Sequence, residues 1–142
     1  MKNIKKLLYI VAVTGIIIFT AAGCGKSGEK TDKVKDLDFT VVSEDNVPEE
    51  LKAVLEEKKV QEFKVTYQDK GFIYICIGYG EQQTGGYSIR VNQLYLTDNA
   101  IYADTTLLGP DPESQEELKR SSPSYPYIVL KTENLDKSVV FN

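Results

Sequence analysis

Residues 72–77 read Phe-Ile-Tyr-Ile-Cys-Ile, six consecutive apolar positions without a charge. Short runs of this kind, rich in β-branched and aromatic residues and bounded by glycine, form strands. Side chains alternate along a strand, so Ile73, Ile75 and Ile77 share one side and Phe72, Tyr74 and Cys76 the other. Both sides are apolar. Such a strand is not stable at a solvated edge, and Phe72 to Gly78 is expected to lie centrally in a sheet.

The neighbouring patterns build the rest of the domain. Phe39 to Val42 and Glu62 to Tyr67 read as strands, the second closed by a turn at Gln68-Asp69-Lys70-Gly71. Between them, Leu51, Val54 and Leu55 follow the spacing of one helical face. A helix over about Val47 to Lys59 is expected, capped by Asn46 with Glu49 in a capping box, and covering one face of a sheet. Gly80 to Gly86 is read as a hairpin connection, since Gly85-Gly86 stands between two β-patterned runs. Beyond it, Tyr87, Ile89 and Val91 are odd-numbered, whereas Leu94 and Leu96 are even-numbered. One face cannot hold all five unless a bulge falls near Asn92 and Gln93. Thr97 to Ala100 is a turn and Ile101 to Leu107 a strand. Gly109 to Ser124 is long for a plain connection, with a helical turn within Glu113 to Arg120. Tyr125 to Thr132 and Ser138 to Phe141 are the last strands. The expected fold is mainly β (α+β): a single antiparallel sandwich- or barrel-like domain over 37–142, with about seven strands and one N-terminal helix.

The first residues are an address label. Lys2, Lys5 and Lys6 precede an uncharged apolar stretch from Leu7 to Thr20, and Ala21-Ala22-Gly23-Cys24 closes it. This is the layout of a secretory signal, and the apolar stretch is short for a membrane span of about 20 residues. Ala-Gly-Cys resembles a bacterial lipoprotein lipobox, with Ala21 where the pattern usually has leucine. The resemblance implies a signal peptide over 1–23, cleavage before Cys24, acylation of its sulfur, and a lipid-anchored, extracytoplasmic protein on the cell membrane. Residues 24–36, polar and charged, are expected to be a flexible tether.

Composition removes several functions. The first 23 residues hold three of the 17 basic residues and none of the 21 acidic ones, which leaves 14 against 21 and a net charge of −7. Nucleic acid is therefore not an expected partner. Histidine is absent, so Ser-His and Cys-His nucleophile pairs and histidine metal sites are excluded. With Cys24 acylated, Cys76 has no partner and reads as a small buried hydrophobe. No carboxylate spacing marks a calcium loop, and no cofactor, metal or enzymatic activity is expected.

Gly80-Glu81-Gln82-Gln83-Thr84-Gly85-Gly86-Tyr87-Ser88-Ile89 resembles the G-E-x-P-T-G-G-Y-S-hydrophobic signature of the PrcB C-terminal-like domain, with Gln83 in the place of its proline. Gly109-Pro110 is similar to that family's proline loop, and Ser124-Tyr125-Pro126-Tyr127 to its second marker. The resemblance spans Ile77 to Lys131. It implies an accessory role, since the family is named for a lipoprotein subunit that stabilises a surface protease complex. A protein partner, a protease among the candidates, follows from it, while the membrane link through the lipid on Cys24 is what the lipobox resemblance implies. The loop also resembles, more weakly, that of chagasin-like cysteine protease inhibitors, which gives the alternative function. Thr84, Gly85 and Gly86 read either as a register-setting turn or as a contact surface. With Tyr87, Tyr125 and Pro126 they form the expected partner-binding rim.

Overall fold

A computed structural model describes residues 32–142. The expected signal peptide, Cys24 and the tether as far as Thr31 lie outside the described residues. Eight strands form two four-stranded sheets. The first has the order β1 (Lys33–Asp36), β5 (Ser88–Thr97), β6 (Ala100–Leu108), β8 (Ser138–Phe141). The second has the order β2 (Thr40–Val41), β7 (Tyr127–Glu133), β4 (Phe72–Tyr79), β3 (Glu62–Asp69). Helix α1 covers Glu49–Lys58 and the single-turn helix α2 covers Gln115–Leu118.

β4 lies between β3 and β7, as its two apolar sides require. Ile73, Ile75 and Ile77 join Leu37, Leu94, Ile101, Ala103 and Leu130 in a core between the sheets. Tyr74 and Cys76 point the other way, into a second core with Val129 and with Val47, Leu51 and Leu55 from the α1 segment. The result is three layers: helix, sheet, sheet. Each fully buried isoleucine contributes about 1.5–3 kcal/mol, so this one strand anchors both interfaces.

The mainly β reading holds, as a sandwich of two sheets. Several details differ from expectation. There are eight strands rather than about seven, because Lys33–Asp36, within the stretch expected to be tether, pairs with β5. The first expected strand, Phe39 to Val42, shortens to Thr40–Val41. One pairing is parallel, β6 with β8. β8 is reached by crossing over from β7 in the other sheet, so no hairpin fixes its direction. Helix α1 begins at Glu49 with Pro48 as N-cap, and Asn46 ends a 3-10 turn (Glu44–Asn46) instead of capping the helix. The Asn46 amide donates to Ser43 Oγ at 2.8 Å.

The expected hairpin at Gly80 to Gly86 does not form, because β4 and β5 lie in different sheets. β4 already has two neighbours. One is β7. The other is β3, joined through Lys70-Gly71, whose φ values of 49° and 81° suit a two-residue primed turn. The segment 80–87 is therefore a crossover between sheets. In β5, Val91 pairs with Thr105 and Gln93 with Asp104, so Asn92 is the extra residue of a bulge. The bulge brings Val91, Leu94 and Leu96 onto one inner face, as the switch from odd to even numbers requires.

Strand directions fix the two ends of the sandwich. Lys33 pairs with Thr97, at the end that also holds the Lys70-Gly71 turn. The crossover enters β5 at Ser88, the other end of a ten-residue strand. At about 3.3 Å per residue, these ends lie about 30 Å apart.

Candidate functional site

The two marked segments meet at the crossover end. Gln82 and Ser124 exchange backbone bonds, Gln82 N to Ser124 O at 2.8 Å and Ser124 N to Gln82 O at 3.0 Å. The Tyr79 amide donates to Pro126 O at 3.0 Å. Side chains add to this seam. Ser124 Oγ donates to Thr84 O at 2.6 Å. The Gly85 amide donates to Ser121 Oγ at 3.1 Å, and that hydroxyl donates to Leu118 O at 2.7 Å. The crossover is thereby fastened along the segment 109–126.

The two glycines do different work. Gly86 has φ +84°, and a Cβ there would lie 2.8 Å from Leu118 Cδ1 and 2.9 Å from Pro110 Cβ. Only glycine combines that backbone with that approach. Gly85 has ordinary φ and open space where a Cβ would stand. Gly86 is thus built into the fold, and Gly85 is free to vary. Beside them lies a shallow recess of about 290 Å³, whose walls include Thr84, Tyr87, Pro110 and Leu118.

Tyr125 and Pro126 stand toward α1. The Tyr125 hydroxyl is 3.5 Å from Glu81 Oε1, and Lys59 Nζ lies 5.8 Å from its ring centre. Lys59 also pairs with Glu56 at 2.7 Å, and this hydrogen bond raises the lysine's pKa. Burial raises that of Tyr127, helped by the Glu44 and Glu56 carboxylates. The surface is one of hydroxyls, amides and aromatic faces, suited to touching a protein chain.

Among the described residues, no group of three or more cysteines and carboxylates could hold a metal ion. Cys76 is wholly buried, and burial pushes its thiol up to about 12, which keeps it protonated at neutral pH.

Residues 73–133 match the family profile described as PrcB C-terminal. Over this span the chain is similar to the PrcB C-terminal family. The matched span opens in β4 and closes with β7, so it contains the crossover, the segment 109–126 and the strands that hold them. β1 to β3, α1 and β8 lie outside the match. No curated protein and no solved structure matches the chain.

Within the matched span, the structure gathers the six expected rim residues at one end of the sandwich. Thr84 and Tyr87 line the recess, Gly85 and Gly86 lie on the seam, and Tyr125 and Pro126 continue it toward α1. The sequence reading marked Pro110 and Ser124 within the resemblance without giving either a role: Pro110 meets Gly86 and Ser124 fastens the loop. It missed Ser121 and Leu118, to which only the unusual length of Gly109 to Ser124 pointed.

Proposed function

We propose that this chain is a lipid-anchored accessory protein on the outer side of a cell membrane, whose crossover surface holds a protein partner, with a protease complex as the partner class. The family supports the accessory role and the protease connection. The observation that carries the reading is the seam: the Gly85 amide is bonded to Ser121 and the Thr84 carbonyl to Ser124, which fixes a surface of hydroxyls, amides and aromatic faces at one end of the sandwich.

The inhibitor alternative has no specific observation in its favour, since Thr84 to Gly86 is bonded down to Ser121 and Ser124 rather than standing clear as an insertion loop.

The test is recovery of the partner from intact cells by crosslinking, comparing wild type with Gly85→Asp. Gly85 is the position to change, because it has room for a side chain and Gly86 does not. Loss of the crosslinked partner from a folded Gly85→Asp chain is the expected result. Unchanged recovery removes the crossover from the interface.

A further inference from the structure

The peptide bond between Arg120 and Ser121 runs through the fastening of the crossover. Leu118 covers Gly86, where a Cβ would come within 2.8 Å of Leu118 Cδ1. Ser121 Oγ accepts the Gly85 amide at 3.1 Å. Leu118 and Ser121 are joined to each other through the Leu118 carbonyl, which accepts the Ser121 amide at 2.8 Å and the Ser121 hydroxyl at 2.7 Å. Lys119 and Arg120 lie exposed between them. The residues that hold the two glycines therefore stand on opposite sides of a basic pair.

That pair is open to an enzyme. No residue of the segment 109–124 is buried. Helix α2 is a single turn, and the 2.6 Å ion pair of Lys119 with Glu116 is exposed at both side chains, where such pairs hold little. A segment with few buried contacts opens locally at low cost, and exposed loops of this kind are where proteases cut. Other basic positions are better protected. Lys58-Lys59, a second basic pair, closes α1 beside the buried Leu55. Lys64, Arg90 and Lys131 lie within strands. The residue after Arg120 is serine, and the nearest proline is Pro123, so no proline blocks the bond.

We propose that the bond between Arg120 and Ser121 is a processing site for a protease of trypsin-like specificity, and that the cut releases residues 84–86 of the crossover. Water adds to the Arg120 carbonyl carbon and the bond to the Ser121 nitrogen breaks. The products are an Arg120 carboxylate and a Ser121 ammonium group. Leu118 then belongs to one fragment and Ser121 to the other, so the turn that grips both glycines is no longer closed. The base of the crossover stays in place, because Gln82 pairs with Ser124, which leads into β7 on the same fragment. Pairing of β7 with β4 and of β8 with β6 keeps that fragment in the sandwich. The inference concerns the fastening itself and does not depend on what the crossover surface binds.

The test is brief digestion of the full chain with trypsin, followed by mass spectrometry of the products under native and denaturing conditions. The control is the double variant Lys119→Gln/Arg120→Gln, which changes only exposed side chains. Within residues 37–142, the expected first cut gives a fragment that begins at Ser121, remains associated until denaturant is added, and is missing from the double variant. In the nicked, isotope-labelled chain the Gly85 amide should exchange roughly tenfold faster, the effect of losing one hydrogen bond, while the Gln82 amide keeps its rate. A first cut elsewhere within 37–142 overturns the site. Unchanged Gly85 exchange in the nicked chain overturns the release. No partner takes part in either readout, so failure here is distinguishable from failure of the crosslinking test.

Discussion

Ser124 donates its hydroxyl to the Thr84 carbonyl across 2.6 Å, joining two residues 40 apart in the chain. The bond ties a crossover between sheets to a segment that would otherwise be a surface excursion. Neither partner is a strand residue, so local opening need not unfold the sandwich. Ser124→Ala should cost about 0.5–1.5 kcal/mol, the usual net worth of one such bond. Ser121→Ala removes the acceptor of the Gly85 amide and a donor to Leu118 O, and should cost about as much. The measurement is hydrogen exchange. The Gly85 amide should exchange faster in Ser121→Ala, while amides of β4 keep wild-type protection. Unaltered exchange at Gly85 would show that the seam is held by the Gln82–Ser124 backbone pair alone.

The adjacent glycines should behave unequally. Gly85→Ala meets nothing within 4 Å and has no positive φ to accommodate, so its stability should lie within about 0.5 kcal/mol of wild type. Gly86→Ala places a methyl against Leu118 and Pro110 and forces a left-handed backbone on an L-residue. The backbone alone costs about 1–2 kcal/mol, and a total of about 2–3 kcal/mol is expected once the contacts are included. Urea denaturation of both variants checks this. Equal midpoints would mean that the segment 109–126 moves aside freely.

Legibility differed between strands and loops for a physical reason. β4 was readable because its alternation is local: Ile73, Ile75 and Ile77 against Tyr74 and Cys76 assigned both cores without any tertiary knowledge. The Asn92 bulge was readable for the same reason, since a change of parity in apolar residues leaves no other regular solution. The Gly85-Gly86 turn misled. Two glycines between β-patterned runs permit a hairpin, but whether one forms depends on whether the preceding strand has an unpaired neighbour position, and β3 and β7 already occupy both sides of β4. Lys33–Asp36 was hidden because it is exposed at every residue and owes its form to pairing with β5 rather than to burial. The rim residues were legible as types. Ser121, which fastens them, was not, because a hydroxyl bonded to an amide 36 residues away leaves no periodic trace.

The proposed anchoring through Cys24 has a direct chemical readout. Acyl chains contribute about 0.8 kcal/mol per buried methylene, and several chains together hold a soluble domain on a bilayer. Cells given labelled palmitate should therefore yield a labelled protein in the membrane fraction. Cys24→Ser should take up no label, with the chain then released or left as an uncleaved precursor. Label retained by Cys24→Ser would place any acylation elsewhere and end the lipoprotein reading.

Cys76 sets a pH limit on stability. It is wholly enclosed between α1 and the β4 sheet, and burial holds its thiol protonated up to about 12. In the unfolded chain a thiol titrates near pH ~8.5. At pH 7 both states carry the proton and the residue contributes no pH dependence. Above ~8.5 the unfolded state loses its proton while the folded state keeps it, so the unfolded state is favoured progressively. The loss is at most about 1.4 kcal/mol per pH unit and continues until the folded thiol itself titrates. Cys76→Ala removes this dependence, so wild type should lose stability relative to the variant as pH rises from ~9 to ~11. Tyr67, whose pKa is raised chiefly by its hydrogen bond to Glu50, titrates in each protein, and its contribution cancels in the comparison. A thiol reagent gives the companion measurement on a Cys24→Ser chain: no reaction at pH ~8 while folded, and complete reaction after denaturation. Rapid modification of the folded chain would mean that the helix layer opens readily, and the interior position of Cys76 would no longer account for its silence.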